Sequence, residues 1–477
     1  MNAESYSALA RKEAPDVSKL SSRHGIVHLL RAELAGDVLG PGDPGYDAGR
    51  RVFLPGFDRR PAAIVRPTDA GEVADAVAVA RDAGLELAVR GGGHSYAGYG
   101  TSEGGIVLDL TGLARLEIDA RARVARAAGG LTAGDVTAAA AAHGLAPVFG
   151  DTSSVGIGGL TLGGGIGYLV RKHGLTIDQL LSAEVVTADG RVLEVDENNH
   201  SDLFWAIRGG GGNFGVVTRF DYRLHPVDIV TGGMLALPAT PETIAGLVAA
   251  VEAAPEELSV IGNVLLAPPL PFVPPELVGS PLLLALLVHA GPLDEGERAV
   301  APLRALAPPV ADFVRTMRFD EMFAAEGPEP LPRAALRTFF SDALDEAAAG
   351  ELLDRLRAST AQFPAVGIRV LGGAAARVPA EATAFTHRHR RLLVTVSAFY
   401  SSPEEDSAHQ AWAKDAATAL RQGADAAYVN FLGDEGADRV RAAYPGTAWG
   451  RLTEIKRRYD PENVFRLNQN VLPTEPR

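Results

Sequence analysis

The sequence predicts an α+β protein built from two structural units, and three observations carry that reading. Glycine is concentrated in three clusters, RGGGHS (90–95), GIGGLTLGGGIG (156–167) and RGGGGNFG (208–215), all within residues 58 to about 228. Over the same stretch, short apolar strands alternate with alanine-rich helical segments. From about 229 to 425 the character changes. Proline clusters (Pro268 to Pro275, Pro308–Pro309, Pro328 to Pro332) punctuate longer amphipathic helices and alternating strands. That is the pattern of a second α+β domain around an antiparallel sheet.

Residues 1–57 form an N-terminal segment with short helices, polar and poorly ordered to about 25, with a short helix expected over Ile26 to Leu39. AAIVRP (62–67) reads as a strand, and Asp69 is placed to cap a helix running through Ala83. ELAVRG (86–91) and GIVLDL (105–110) are strands. Thr132 starts a helix that ends near His143–Gly144. Residues 181–195 read as a hairpin turning at Asp189–Gly190. SDLFWAIR is helical and NFGVVTRFDYRL (213–224) alternates like a strand. In the middle unit SVIGNVLLA and LLVTVSAFY are strands. A last segment, 426–477, holds a helix from Thr447 to Tyr459 and the tail ENVFRLNQNVLP.

A chain of 477 residues is too long for one ordinary core, so two domains are expected, or three. Hydrophobic residues at 47% and charged residues at 22% are globular proportions. The absence of cysteine excludes disulfides, thiolate metal sites, cysteine nucleophiles and cysteinyl cofactor links. A net charge of −14 argues against nucleic acid or anionic membranes as partners. The N-terminus lacks the apolar core of a secretory signal. Pro281 to Ala290, the most apolar run, is shorter than the roughly 20 residues a membrane span needs. A cytoplasmic location is the expectation.

Glycine lets backbone N–H groups approach a ligand closely, as diphosphate binding requires. One such cluster is ordinarily a tight turn; three in one unit point to a dinucleotide. Gly210, Gly212 and Gly215 have G-x-G-x-x-G spacing, but a helix precedes them and a strand follows, the reverse of the Rossmann order. No P-loop motif occurs. His94 follows three glycines at a strand end, and neutral imidazole is a competent nucleophile near pH 7.

Four strings together resemble the berberine-bridge-enzyme-like FAD-linked oxidases of the vanillyl-alcohol-oxidase superfamily. They are RPAAIVRPTDAGEV…LAVRGGGHSYAGYG, SSVGIGGLTLGGGIGYLVRKHGLTIDQL, DLFWAIRGGGGNFGVVT and YDPENVFRLNQNVLP. The resemblance covers about 58 to 228 and 426 to 473, and only loosely the middle. It implies a two-lobed, PCMH-type FAD-binding domain built from both ends of the chain. Arg90, Gly91, Gly92, Gly93, His94, Ser95 and Gly98 would wrap the diphosphate, with His94 the covalent anchor to the 8α carbon. Thr152, Val155, Gly158, Gly159, Gly163, Gly215 and Val217 would line the ADP part and the ring. Asn468 and Asn470 would reach the flavin from the C-terminal end, with Tyr428 and Asn430 near the ring or substrate.

Two departures from the family pattern matter. Where many members carry a second, cysteinyl link, this chain has Thr152, Ser153, Ser154 and Val155, which implies a histidyl-only flavin. Where members often have Y-x-N-Y, this chain has Tyr428, Val429, Asn430 and Phe431, and Phe431 moves no proton. Tyr400, His387, His389 and Tyr428 are candidate replacement bases, although an H-R-H run is more often a solvated loop. Tyr96 and Tyr168 follow glycine loops and would reach the ring or simply pack. His24 and His28, at i and i+4, are best explained by a surface helix. Nothing here has the spacing of a metal site. Val155 aligns with the position facing the oxygen-reactive side of the flavin, where small residues accompany oxidases. The implied reaction is hydride transfer from a small organic molecule to the flavin, with dioxygen as second substrate and hydrogen peroxide as product. A dehydrogenase using another acceptor and a flavin-binding protein without turnover stand as alternatives. The substrate and the oligomeric state are not legible.

Overall fold

The computed structural model describes residues 23–323, 332–423 and 425–474. The polar segment before residue 23 and most of the Pro328–Pro332 cluster lie outside the described residues. The glycine-rich part of the chain forms two lobes, each around its own sheet. The first has strands Asp37–Leu39, Ala63–Arg66, Ile106–Asp109 and Leu87–Arg90 in that spatial order, the last three parallel. Helix Ala70–Asp82 packs on it, and its cap is the expected one, with the Asp69 side chain accepting from the Glu72 N–H at 2.9 Å.

The second lobe is a five-stranded antiparallel sheet ordered Leu116–Asp119, Val124–Ala128, Val216–Arg223, Leu180–Val186 and Val192–Val195. The Asp189–Gly190 turn closes its last hairpin, with Gly190 at φ +82°. Thr132 caps helix Ala133–Ala141, exchanging hydrogen bonds with Asp135. Apolar residues from one face pack with the C-terminal helix Ala448–Tyr459 in one core, while Ala128, Val186 and Val216 on the other face join the core of the first lobe.

One expected element is different. The helix over 26–39 is instead helix Arg23–Glu33 followed by strand Asp37–Leu39. The N–H groups of Ala35 and Gly36 turn to the Glu72 carboxylate at 2.7 and 2.9 Å, which ends the helix and starts a new edge strand. A Cβ at Gly36 would lie 2.3 Å from the Arg66 carbonyl oxygen, so the crossing needs glycine.

The middle unit is an eight-stranded antiparallel sheet. Its central strands run Ile229–Pro238, Pro281–His289, Leu258–Leu266, Phe363–Val370, Leu392–Tyr400 and Arg333–Ser341. Helices Pro241–Ala253, Leu293–Arg304, Glu346–Arg357 and Asp406–Leu420 cover one face. Side chains alternate between faces along a strand. Val366, Ile368 and Val370 pack against the helices, so Ala365, Gly367 and Arg369 look the other way, towards the glycine-rich unit. Helix Val170–His173 joins the units: Arg171 donates to the Val251 and Ala254 carbonyls, and Lys172 to that of Ala290. No described helix is long and apolar enough to cross a membrane.

Candidate active site

The three glycine clusters converge on one cavity of about 430 Å³ between the two lobes and the open face of the large sheet. Its floor is mostly backbone. Gly92 and Gly156 meet so closely that a Cβ on either would lie 2.2–2.3 Å from the other's backbone nitrogen. Only glycine allows the first two loops to touch in this way. Gly159 and Gly212 also line the cavity, and nothing stands within 4 Å of where their Cβ atoms would be. They leave room for a ligand rather than for protein.

Arg90 positions the first loop without reaching into the cavity. Its guanidinium is buried against Asp109 (2.9 Å) and the carbonyls of Gly49 and Arg51. Burial works to raise the Asp109 carboxyl, yet Arg90 and Arg66 hold it below the usual carboxylate range. His94 stacks on Phe53 with centroids 3.8 Å apart, and its Nε2 lies 2.7 Å from Ser154 Oγ. The imidazole is therefore held in one orientation at the cavity wall.

The C-terminal tail closes the far side. Lys456, with no exposed side-chain surface, donates to Asp460 (2.6 Å) and to the carbonyls of Asn213 and Phe465. Asp460 accepts in turn from the N–H groups of Val464 and Phe465. Asn213 donates to Gly210 and Gln469 and accepts from Val471. These contacts pin the tail to the third glycine cluster and bring Phe465, Leu467, Asn468 and Gln469 to the cavity. Asn468 donates to Gly212, while its Oδ1 is buried without a partner among the described residues.

The roof is made of side chains. Arg369 descends from the large sheet, pairs with Asp151 at 2.6 Å and lies 4.9 Å from the centroid of Phe431. Tyr96 stacks on the same ring at 5.5 Å. Tyr428 is fully buried beside it, and its hydroxyl accepts from the Gly165 N–H (2.9 Å) and Asn430 Nδ2 (3.0 Å). Burial pushes the Tyr428 phenol up to about 12. With two donors already on its oxygen, this hydroxyl has its own hydrogen left to donate.

Most of the expected residues meet here. Arg90, Gly91, Gly92, Gly93, His94, Ser95, Thr152, Val155, Gly158, Gly159, Gly215, Val217, Tyr428, Asn430 and Asn468 all line the cavity. Five do not. Tyr400 shares strand parity with Leu392, Val394 and Val396, so it points into the helix-covered core, where its ring lies 4.5 Å from that of His409. His387 is buried against Phe340 with Nε2 at 3.1 Å from the Ala442 carbonyl, and burial lowers it to about 4. The H-R-H run is thus no solvated loop, since Arg388 is also buried, bridging both Asp178 oxygens; only His389 is exposed. Gly98 makes space for the Phe57 ring and Gly163 for the Asn430 side chain, not for a ligand. Asn470 lies outside the lining, with its Oδ1 buried and unpartnered among the described residues.

Sequence reasoning missed Asp151, Arg369 and the Lys456–Asp460–Asn213 clamp. Asp151 sits directly before the Thr152–Val155 run, and Arg369 interrupts an apolar strand pattern; both signals were there to be read.

The family model for an FAD binding domain matches residues 61–196, and that for berberine and berberine-like proteins matches residues 427–472. The (R)-6-hydroxynicotine oxidase of Paenarthrobacter nicotinovorans is 33% identical over 457 residues, 92% of this chain and 97% of that protein. The chain belongs to the berberine-bridge-enzyme-like family of FAD-linked oxidoreductases. The crystal structure of 6-hydroxy-D-nicotine oxidase from Arthrobacter nicotinovorans matches with a TM-score of 0.83 at 30% identity, covering 92% of this chain and 98% of that one. A berberine-bridge-enzyme-like protein of Physcomitrella patens matches with a TM-score of 0.84 at 23% identity, covering 94% and 100%, which is a likeness of fold. Glucooligosaccharide oxidase of Sarocladium strictum is 37% identical over 230 residues, 45% of each chain. Open glycine positions, a long concave wall and the free Asn468 oxygen fit the FAD that this family binds.

Proposed function

We propose that the protein is an FAD-dependent oxidase that takes hydride from a small organic molecule (an alcohol, an amine or a larger secondary metabolite) and passes the electrons to dioxygen. The observation that carries this reading is His94, held by Phe53 and Ser154 on the wall of a cavity whose floor is glycine backbone. The flavin supplies the hydride acceptor at N5 and, after substrate oxidation, the reductant that converts dioxygen to hydrogen peroxide.

The chain's own residues bind, orient and exclude water. His94 anchors the cofactor covalently at its 8α carbon, and Ser154 fixes the imidazole orientation that the bond needs. Arg90, Gly91, Gly92, Gly93 and Ser95 form the wall for the diphosphate. Gly158, Gly159, Gly215, Val217 and Asn468 hold the remainder, and Thr152 and Val155 border the ring. Tyr428 and Asn430 form one hydrogen-bonded unit that would contact the ring or the substrate. Phe431 keeps the site dry and contributes no proton. Val155 leaves the face open to dioxygen. The substrate is held between this wall and the large sheet, so that position does much of the work.

Acid precipitation of the purified protein tests the anchor: a yellow pellet, with the flavin mass on the His94 peptide, is the expected result. His94→Ala should fold and release its flavin; covalent flavin retained in that variant refutes the assignment. Peroxide formed under air with a turned-over substrate separates an oxidase from a dehydrogenase that uses another acceptor.

A further inference from the structure

The roof of the cavity holds a cation whose hydrogen-bonding capacity is mostly unspent. Arg369 has five N–H donors in a planar fork. One goes to Asp151, at 2.6 Å from Nη2, its sole hydrogen bond among the described residues. Its Nε is buried and has no acceptor. Asp151, the one carboxylate among the described lining residues, is occupied on both oxygens, by Arg369 and by Thr152 Oγ1 at 3.1 Å. The hydrogens offered to a ligand at this end come from the guanidinium edge and from the Tyr96 phenol, whose ionisation burial disfavours. Nε is sealed from the cavity, but the side chain keeps 15% of its surface exposed, so the N–H groups at the Nη end are the ones a bound oxyanion would meet.

We propose that Arg369 selects substrates carrying an anionic oxygen group, a carboxylate or a phenolate, and disfavours cationic amines. The proposal rests on the cavity being the substrate-and-flavin site described above. An edge-on contact from the guanidinium fixes the oxyanion beside the Tyr96–Phe431 stack, so the remainder of the molecule extends over the cavity floor. A protonated amine placed there would meet the guanidinium instead of an acceptor. A merely structural Arg369, tying sheet to floor through Asp151 and Phe431, would alter stability and weaken all ligands alike.

Three probes share one ring and differ in charge: benzoate, benzyl alcohol and benzylamine. Each is titrated into the purified protein while the flavin absorbance is recorded. Benzoate should perturb the band saturably, at least about tenfold more tightly than benzyl alcohol, the worth of a charge-assisted hydrogen bond, with benzylamine weakest. Arg369→Met should remove the benzoate preference and leave benzyl alcohol unchanged, and Arg369→Lys should keep part of it. If Arg369→Met does not fold, Asp151→Asn serves: it frees the guanidinium and should tighten benzoate. Benzylamine binding as tightly as benzoate, benzoate failing to bind up to its solubility, or preference unaltered in these variants overturns the proposal. A colourless protein would instead mark failure of the flavin reading. Calorimetric titration of the same probes then still decides the role of Arg369.

Discussion

The floor and the roof of the cavity hold ligand by different means. On the floor Gly92 and Gly156 touch backbone to backbone, and Gly159 and Gly212 leave space where side chains would be. On the roof Arg369, Tyr96, Phe431 and Tyr428 present side chains from three separate segments. A surface made of backbone is fixed by chain geometry and admits few substitutions. A surface made of side chains can be rewritten one residue at a time. The same fold can therefore keep one cofactor and change its substrate.

The comparison breaks first at Gly156. Valine there would push a Cβ to 2.2 Å from the Gly92 nitrogen, which belongs to backbone and cannot swing aside. Gly156→Val is expected to give no folded, flavin-loaded protein, whereas roof variants should remain yellow. Visible absorbance of the purified variants is the check, and a yellow Gly156→Val protein would show that the floor tolerates side chains after all.

Next in size is the clamp that closes the floor. Lys456→Met leaves Asp460 ionised and buried without its partner, which typically costs about 3–5 kcal/mol. Burial lowers the lysine itself, with Asp460 opposing the shift, as expected for a charge kept only by its neighbour. Urea unfolding should show the loss. A cost below about 1 kcal/mol would mean that the tail is held by the Asn213 contacts and apolar packing instead.

The difference between floor and roof also decides what the sequence disclosed. The floor is written in local strings: glycine runs, the Asp69 and Thr132 caps and the Asp189–Gly190 turn each act within a few residues. The roof depends on which face of a strand a residue occupies. LLVTVSAFY contains that information, because Thr395 and Ser397 mark the face opposite Val394 and Val396, and Tyr400 falls on the apolar side. Counting the parity would have rejected Tyr400 and, in the neighbouring strand, singled out Arg369. The clamp was illegible for another reason. Lys456 and Asn213 are 243 residues apart, and nothing local to either signals the contact.

Acid should act on the joint between the halves. His173 and His225 stack at 3.8 Å next to Arg171 and Lys172, and burial lowers them to about 3 and about 4. Both are neutral in the folded protein, while the unfolded chain takes up protons below about 6.5. The unfolded state then binds more protons, so stability is full above 6.5 and falls as pH drops towards about 4. The melting temperature should decline through that window, by the equivalent of a few kcal/mol. Replacing both rings by phenylalanine should flatten the decline. A profile unchanged by that double substitution would place the acid sensitivity elsewhere, His387 being next in line.

The smallest expected effect is the most informative about the floor. Ser154 touches His94 with a single hydroxyl, at 2.7 Å from Nε2. One hydrogen bond is worth about 1 kcal/mol, so Ser154→Ala should change global stability by no more than that. If the hydroxyl orients the imidazole for attachment, the same loss appears as a roughly fivefold slower gain of acid-stable flavin when flavin-free protein is incubated with FAD. Ser154→Thr keeps the oxygen and should restore the rate. Equal attachment rates in all three proteins would show that contacts other than the Ser154 hydroxyl orient His94, the Phe53 stack among them. The positioning of the anchor would then rest on side-chain packing, and the division between a backbone floor and a side-chain roof would not extend to the covalent link itself.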